Sequence, residues 1–327
     1  MITPQSHPAA RCFRRLLLGS ILALLLGGAA YAAPPPLPEV PGYASVQLSR
    51  ETINQLETTV YVNGHPERFA VDTGASNTVM NEHIALKDGV KPTGPDSPYG
   101  QYQYLKGQTL RIAEVNDMRA GSMDFGRGPI SLYSKGTSDI LLLEHAQESR
   151  HMAGLLGADI LLHYKAIINV RTRQMFFPIK SHEHSKLGAT VAAMGFTRVP
   201  LRVENGRGFT VPCTIGGKSG RLFVDTGAFT TFLDAALASE LRMPTQRTKI
   251  VFGGFDGGRN EASVARVSDL KIGDFHLPAQ KLFILGSNFS ADISRIEETH
   301  VFGILGADLL AAEHGIIDLE DMSLYLK

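Results

Sequence analysis

The chain has 327 residues, with 32 basic side chains against 32 acidic ones, so it carries no formal net charge. A neutral chain lacks the basic excess with which a general nucleic-acid binder neutralises phosphates, so no nucleic-acid partner is expected. At 43% apolar residues it can bury an ordinary globular core, in one large or two modest domains.

Residues 1–32 read as a secretory signal peptide. Arg11, Arg14 and Arg15 precede the apolar run from Leu16 to Leu26, and Ala30-Tyr31-Ala32 supplies the small-x-small pattern of a cleavage site. The run is short for a membrane span, so no stable span is expected once the signal is removed near Ala32. The mature chain is expected in the periplasm or outside the cell. Residues 33–42 follow as a stiff spacer containing Pro34, Pro35, Pro36, Pro38 and Pro41. Of the two cysteines only Cys213 remains after cleavage, so no internal disulfide can form. It sits in the strand-like run FTVPCTIGG and reads as a packed core thiol.

The next elements occur twice. TTVYVNGHPERFAVDTG alternates and turns at Asn63-Gly64, and FTVPCTIGGKSGRLFVDTG does so around Gly216-Gly217; each reads as a β-hairpin. Each ends in an Asp-Thr-Gly-Ala run, at Asp72 to Ala75 and at Asp225 to Ala228. Arg68 and Arg221 stand four residues before each Asp, and Thr78 and Thr231 six after. Further hairpins are expected in YGQYQYLKGQTLRIAEV and KIVFGGFDGGRNEASVARV. The segment SKGTSDILLLEHAQESRH reads as an insertion in the first half. Then GLLGADILL begins 82 residues after Asp72, and GILGADLL begins 78 after Asp225. Each block opens a short helix, with Asp159 or Asp308 in a first turn that favours negative charge. Each runs on into a strand-like ending.

The repeat divides the mature chain into two homologous lobes, 43–180 and 194–327, joined by a linker over 181–193. The expected class is all-β: two closed, barrel-like lobes around a central cleft, each with one or two short helices.

A lone Asp-Thr-Gly is an ordinary turn. Two copies, each at the end of an apolar strand, can meet where two such lobes pack about a two-fold axis. Two carboxylates at short range share one proton. One then serves as general base on a water and the other as general acid, without metal or nucleophilic side chain. The glycines allow a close backbone approach, and the Thr73 and Thr226 hydroxyls can reach the opposite lobe.

On these motifs the chain resembles the clan of aspartic peptidases whose retroviral members dimerise and whose pepsin-like members are bilobal. The resemblance implies an aspartic endopeptidase with Asp72 and Asp225 catalytic. It places Thr73, Gly74, Ala75, Thr226, Gly227 and Ala228 around them. It also implies that Leu155-Leu156-Gly157 and Ile304-Leu305-Gly306 pass beneath the aspartate loops as buttresses, and that hairpin flaps cover the cleft. The flap candidates are Tyr102 and Tyr104, and Phe252, Gly253, Gly254 and Phe255. The lobes are closer to retroviral than to pepsin-like size. Ala75 and Ala228 depart from the Ser or Thr usual in pepsin-like enzymes, which implies a less acidic optimum.

A peptide or protein substrate, a monomer, no cofactor and no metal are expected. His182 and His184 lie in the polar linker without a third ligand. FGGFDGGRN lacks the Lys-Ser or Lys-Thr of a phosphate loop. Two other readings stay open: a peptide-binding protein on the same fold without catalysis, and a proteinase active as a dimer.

Overall fold

The computed structural model describes residues 41–50, 54–105, 108–134, 152–179, 187–204, 208–253, 259–286 and 300–327. All belong to one compact unit, Pro38–Lys327. The expected signal peptide, most of the spacer and most of the insertion lie outside them, as do His182 and His184. Among the described residues no helix is long and apolar enough to cross a membrane.

The chain is mostly β. In the first lobe Leu56–Val62 pairs antiparallel with His65–Val71. The turn between them has Asn63 at φ 49° and Gly64 at φ 86°, the left-handed pair that a two-residue turn requires. The second lobe repeats this with Phe209–Ile215 and Lys218–Val224 around Gly216 and Gly217, at φ 57° and 76°. Alternate residues of these strands point inward, and Phe69, Val71, Phe209 and Val224 are fully buried.

The first lobe closes on itself, because Val60–Val62 also pairs with the end of the long strand Gln108–Ala120. In the second lobe the same wall is broken. The strand Arg259–Val267 ends, and Lys271–Ile272 then takes up the equivalent pairing with Cys213–Thr214. The expected hairpins form as Tyr102–Leu105 with Gln108–Ala120, and as Thr245–Gly253 with Arg259–Val267.

A six-stranded sheet joins the lobes. Its order is Tyr43–Gln47, Gln174–Pro178, Ile167–Asn169, Ile316–Asp318, Ser323–Leu326, Thr197–Pro200, three strands from each lobe. The central pairing sets Ile168 against Ile317, so the two-fold relation between the lobes passes through this point. One large apolar cluster runs through both lobes and includes Phe69, Leu156, Ile168, Val224, Leu305 and Ile317.

Cys213 is buried at 3% exposure, and burial pushes its thiol up to about 12. Asp318 is fully buried in the shared sheet. Its Oδ1 accepts from the amides of Glu320 and Asp321, while Oδ2 has no hydrogen-bond partner among the described residues. Burial raises its carboxyl to about 6, above the ordinary range of an aspartate. The folded state therefore holds a proton that the unfolded chain has lost, so stability falls as pH rises from about 4 to 6. Asp318→Asn is expected to lose this dependence and to gain about 1–3 kcal/mol over the wild type between pH 4 and 7. Melting temperatures of the two proteins across that range would show it; a constant difference would contradict it.

Helices over Ala158–His163 and Ala307–Ala312 stand where the repeat blocks place them. Three more occur at Glu82–Lys87, Leu187–Ala193 and Ala235–Glu240. The second of these occupies the C-terminal part of the expected linker. Asn81 and Asp234 cap the other two, their side chains accepting from the amides of Ile84 and Ala236.

Candidate active site

Asp72 and Asp225 each begin the loop that follows an apolar strand, and each loop turns back onto its own carboxylate. The Gly74 and Ala75 amides donate to Asp72 Oδ1 at 2.9 and 3.0 Å. The Gly227 and Ala228 amides donate to Asp225 Oδ1 at 2.8 and 3.0 Å.

The two loops meet across the lobes. A Cβ on Gly74 would stand 2.4 Å from the Asp225 carboxyl carbon, and one on Gly227 would stand 2.4 Å from that of Asp72. Each carboxylate thus lies against the other lobe's glycine, a space that no side chain could share. Asp72 also has a side-chain hydrogen bond with Asp225. Burial, then the charge of Asp225 beside it, raise the Asp72 carboxyl well above the usual carboxylate range, against the pull of its two amides.

Thr73 and Thr226 lock the junction. The Thr73 hydroxyl donates to Val224 O at 2.8 Å and accepts from the Thr226 amide at 3.0 Å. The Thr226 hydroxyl donates to Val71 O at 2.6 Å and accepts from the Thr73 amide at 3.1 Å. Both threonines are fully buried, so these four bonds are shielded from water.

Leu155-Leu156-Gly157 lies directly under the first loop. The strand Gly154–Leu156 runs parallel to Phe69–Val71 and antiparallel to Val79–Met80. Leu156 O accepts from the Asp72 amide, and Ala75 O accepts from the Ala158 amide. Ile304-Leu305-Gly306 repeats these contacts: Leu305 O accepts from the Asp225 amide, and Ala228 O from the Ala307 amide. A Cβ on Gly157 or Gly306 would collide with loop backbone at 2.4 or 2.5 Å.

Four acidic residues act here beyond what their sequence positions indicate. Besides opening its helix, Asp159 accepts through its carboxylate from both the amide and the hydroxyl of Thr78. Asp308 does the same for Thr231. Those hydroxyls in turn accept from the Gly157 and Gly306 amides at 3.0 and 2.9 Å. The matched spacing from each Asp-Thr-Gly to Thr78 and Thr231, and the Gly-Ala-Asp ending of each block, were the available signals. The buried Glu57 pairs with Arg68, and the buried Glu204 lies 3.4 Å from Arg221 Nε. The repeated arginines thus each hold an interior carboxylate beside the strand that leads into an Asp-Thr-Gly loop.

The flap candidates fall in different settings. Tyr102 is 61% exposed on its hairpin. Tyr104 lies on the same strand. Phe252 is buried and packs against Phe229 and Phe283. Gly253 ends its strand, and Gly254 and Phe255 lie outside the described residues.

Two β lobes on a shared sheet, with paired Asp-Thr-Gly loops interlocked at their junction, define the aspartic-protease architecture. Residues 58–163 match the family described as gag-polyprotein putative aspartyl protease, and residues 211–309 match the Aspartyl protease family. Both are retropepsin-like families, one matching each lobe, and the chain belongs to the retropepsin-like aspartyl proteases. Comparison with curated proteins gave no match.

Proposed function

We propose that the protein is an exported aspartic endopeptidase that works as a single chain, with water activated between Asp72 and Asp225. The observation that supports this most is the mutual packing of the two carboxylates, each against the other lobe's glycine, with Asp72 raised by burial and by Asp225. Two such groups hold one proton between them at working pH. The ionised member takes a proton from the water as it attacks the peptide carbonyl carbon. The protonated member donates to the carbonyl oxygen, and proton return to the departing nitrogen completes the cleavage. Each lobe supplies one carboxylate, so one chain holds a complete pair. The signal-like N-terminus supports action in the periplasm or outside the cell.

Incubating the chain from Ala33 with a mixed peptide library at several pH values, beside Asp225→Asn, tests this reading. Cleavage by the wild type that disappears in the variant is expected. Peptide retained uncleaved by both proteins would instead favour a binding protein on this fold.

Ala75 and Ala228 leave each carboxylate with two backbone donors but no hydroxyl from those positions. Ala75→Ser is expected to add a donor that favours the ionised form and to move the acid limb of the pH–rate profile down by about half a unit to one unit. An unmoved or upward-shifted limb would contradict it.

A further inference from the structure

We propose that the lobes present chemically different walls beside the catalytic pair, so that the two residues flanking the cleaved bond are selected differently: aromatic or large apolar on the second-lobe side, small or polar on the first-lobe side. The inference rests on the peptidase function proposed above and names the substrate class for that site.

The difference appears at matched positions. Four residues after each aspartate stand Ser76 and Phe229, both half-buried. In the next strand of each sheet, Ser131 pairs with Val79 where Phe283 pairs with Phe232. In the second lobe Phe229 stacks on Phe252 at 5.4 Å between centroids, and Phe252 meets Phe283 edge-on at 5.1 Å. This run of rings links the catalytic loop, the Thr245–Gly253 hairpin strand and the sheet wall. In the first lobe the positions of these rings hold polar groups, Ser131 Oγ donating to Gln103 Oε1 at 2.8 Å, beside a smaller cluster of Val79, Leu110, Tyr133 and Leu155 that contains no phenylalanine.

The backbone at Phe229 is also tied on both sides. The Ala228 amide before it is bound to Asp225, and its own carbonyl accepts from Asn54 Nδ2 of the first lobe at 3.5 Å. An extended peptide sends successive side chains to opposite sides. The residues on either side of the cleaved bond therefore face different lobes. The partly exposed rings of Phe229 and Phe283 gain most when an aromatic or large apolar side chain covers them, while the half-buried Ser76 offers one hydroxyl and little apolar area.

The test is kcat/KM for a peptide series in which each flanking residue is varied in turn through Ala, Ser, Leu and Phe. Wild type, Phe229→Ser and Ser76→Phe are compared by ratios within each protein, which cancel differences in folded fraction. One flanking position should prefer Phe over Ser by about tenfold or more, and the other should not. Phe229→Ser should remove that preference without reordering the other position, and Ser76→Phe should create one there. Equal preferences at both positions, or variants that scale every peptide alike, would overturn the inference while leaving proteolysis standing. Failure of the wild type to cleave any member would overturn the proteolytic reading, and this inference with it.

Discussion

Asp225→Asn is expected to lower peptide cleavage by about three orders of magnitude or more, while raising the melting temperature at neutral pH. The loss of activity follows because the pair acts as a unit; an amide can neither take the proton from water nor hold one for the carbonyl. The gain in stability follows from the same proximity. The folded pair holds a proton that free carboxyls release above about pH 4. Stability due to these groups is fully present below that pH and is lost as pH rises toward neutrality. Asparagine removes the like-charge conflict, and its Oδ1 can still accept from Gly227 and Ala228. A rise of about 2–5 °C at pH 7, shrinking toward pH 4, is the expected result by calorimetry. A variant less stable than wild type at pH 7 would show that the carboxylates are not in conflict.

Thr226→Val is expected to damage both fold and catalysis. Valine matches the shape but leaves the buried Thr73 amide and Val71 carbonyl without the partner they now have. Each loss costs about 1–3 kcal/mol when the group is sealed from water. The same bonds set the level of the two loops, and a shift of about 1 Å in a catalytic group is enough to reduce rate about a hundredfold. Thr226→Ser keeps the hydroxyl and is expected to retain most of the activity. Denaturant melts and kcat/KM for the two variants separate these effects; losses in Thr226→Ser that Thr226→Val does not share would assign the role to the methyl group instead.

The two Asp-Thr-Gly loops were legible because the chain states them twice. Recurrence of Asp-Thr-Gly-Ala with a Gly-Ala-Asp block about eighty residues on marked both lobes, and the hairpins followed from Asn63-Gly64 and Gly216-Gly217. The helices at Glu82–Lys87 and Ala235–Glu240 leave little trace in the sequence because six residues carry too little periodicity. Their caps, Asn81 and Asp234, nonetheless stand nine residues after each aspartate. The bonds from Asp159 to Thr78 and from Asp308 to Thr231 span 81 and 77 residues. Only the parallel pairing beneath the loops brings them together. The aromatic wall is similar: Phe229, Phe252 and Phe283 are far apart in the chain, and sheet register makes them neighbours. The break at residues 268–270 in the second lobe's closing strand had no counterpart in the alternation pattern.

The coupled pair is tested most directly by the pH dependence of kcat/KM, measured with one cleaved peptide for wild type, Asp72→Asn and Asp225→Asn. A bell-shaped wild-type profile is predicted, with one limb for the carboxylate that must be ionised and a second, raised limb for the one that must hold the proton, and neither variant should cleave. Cleavage that persists in either variant, or a wild-type profile with a single ionisation, would contradict a shared proton between Asp72 and Asp225.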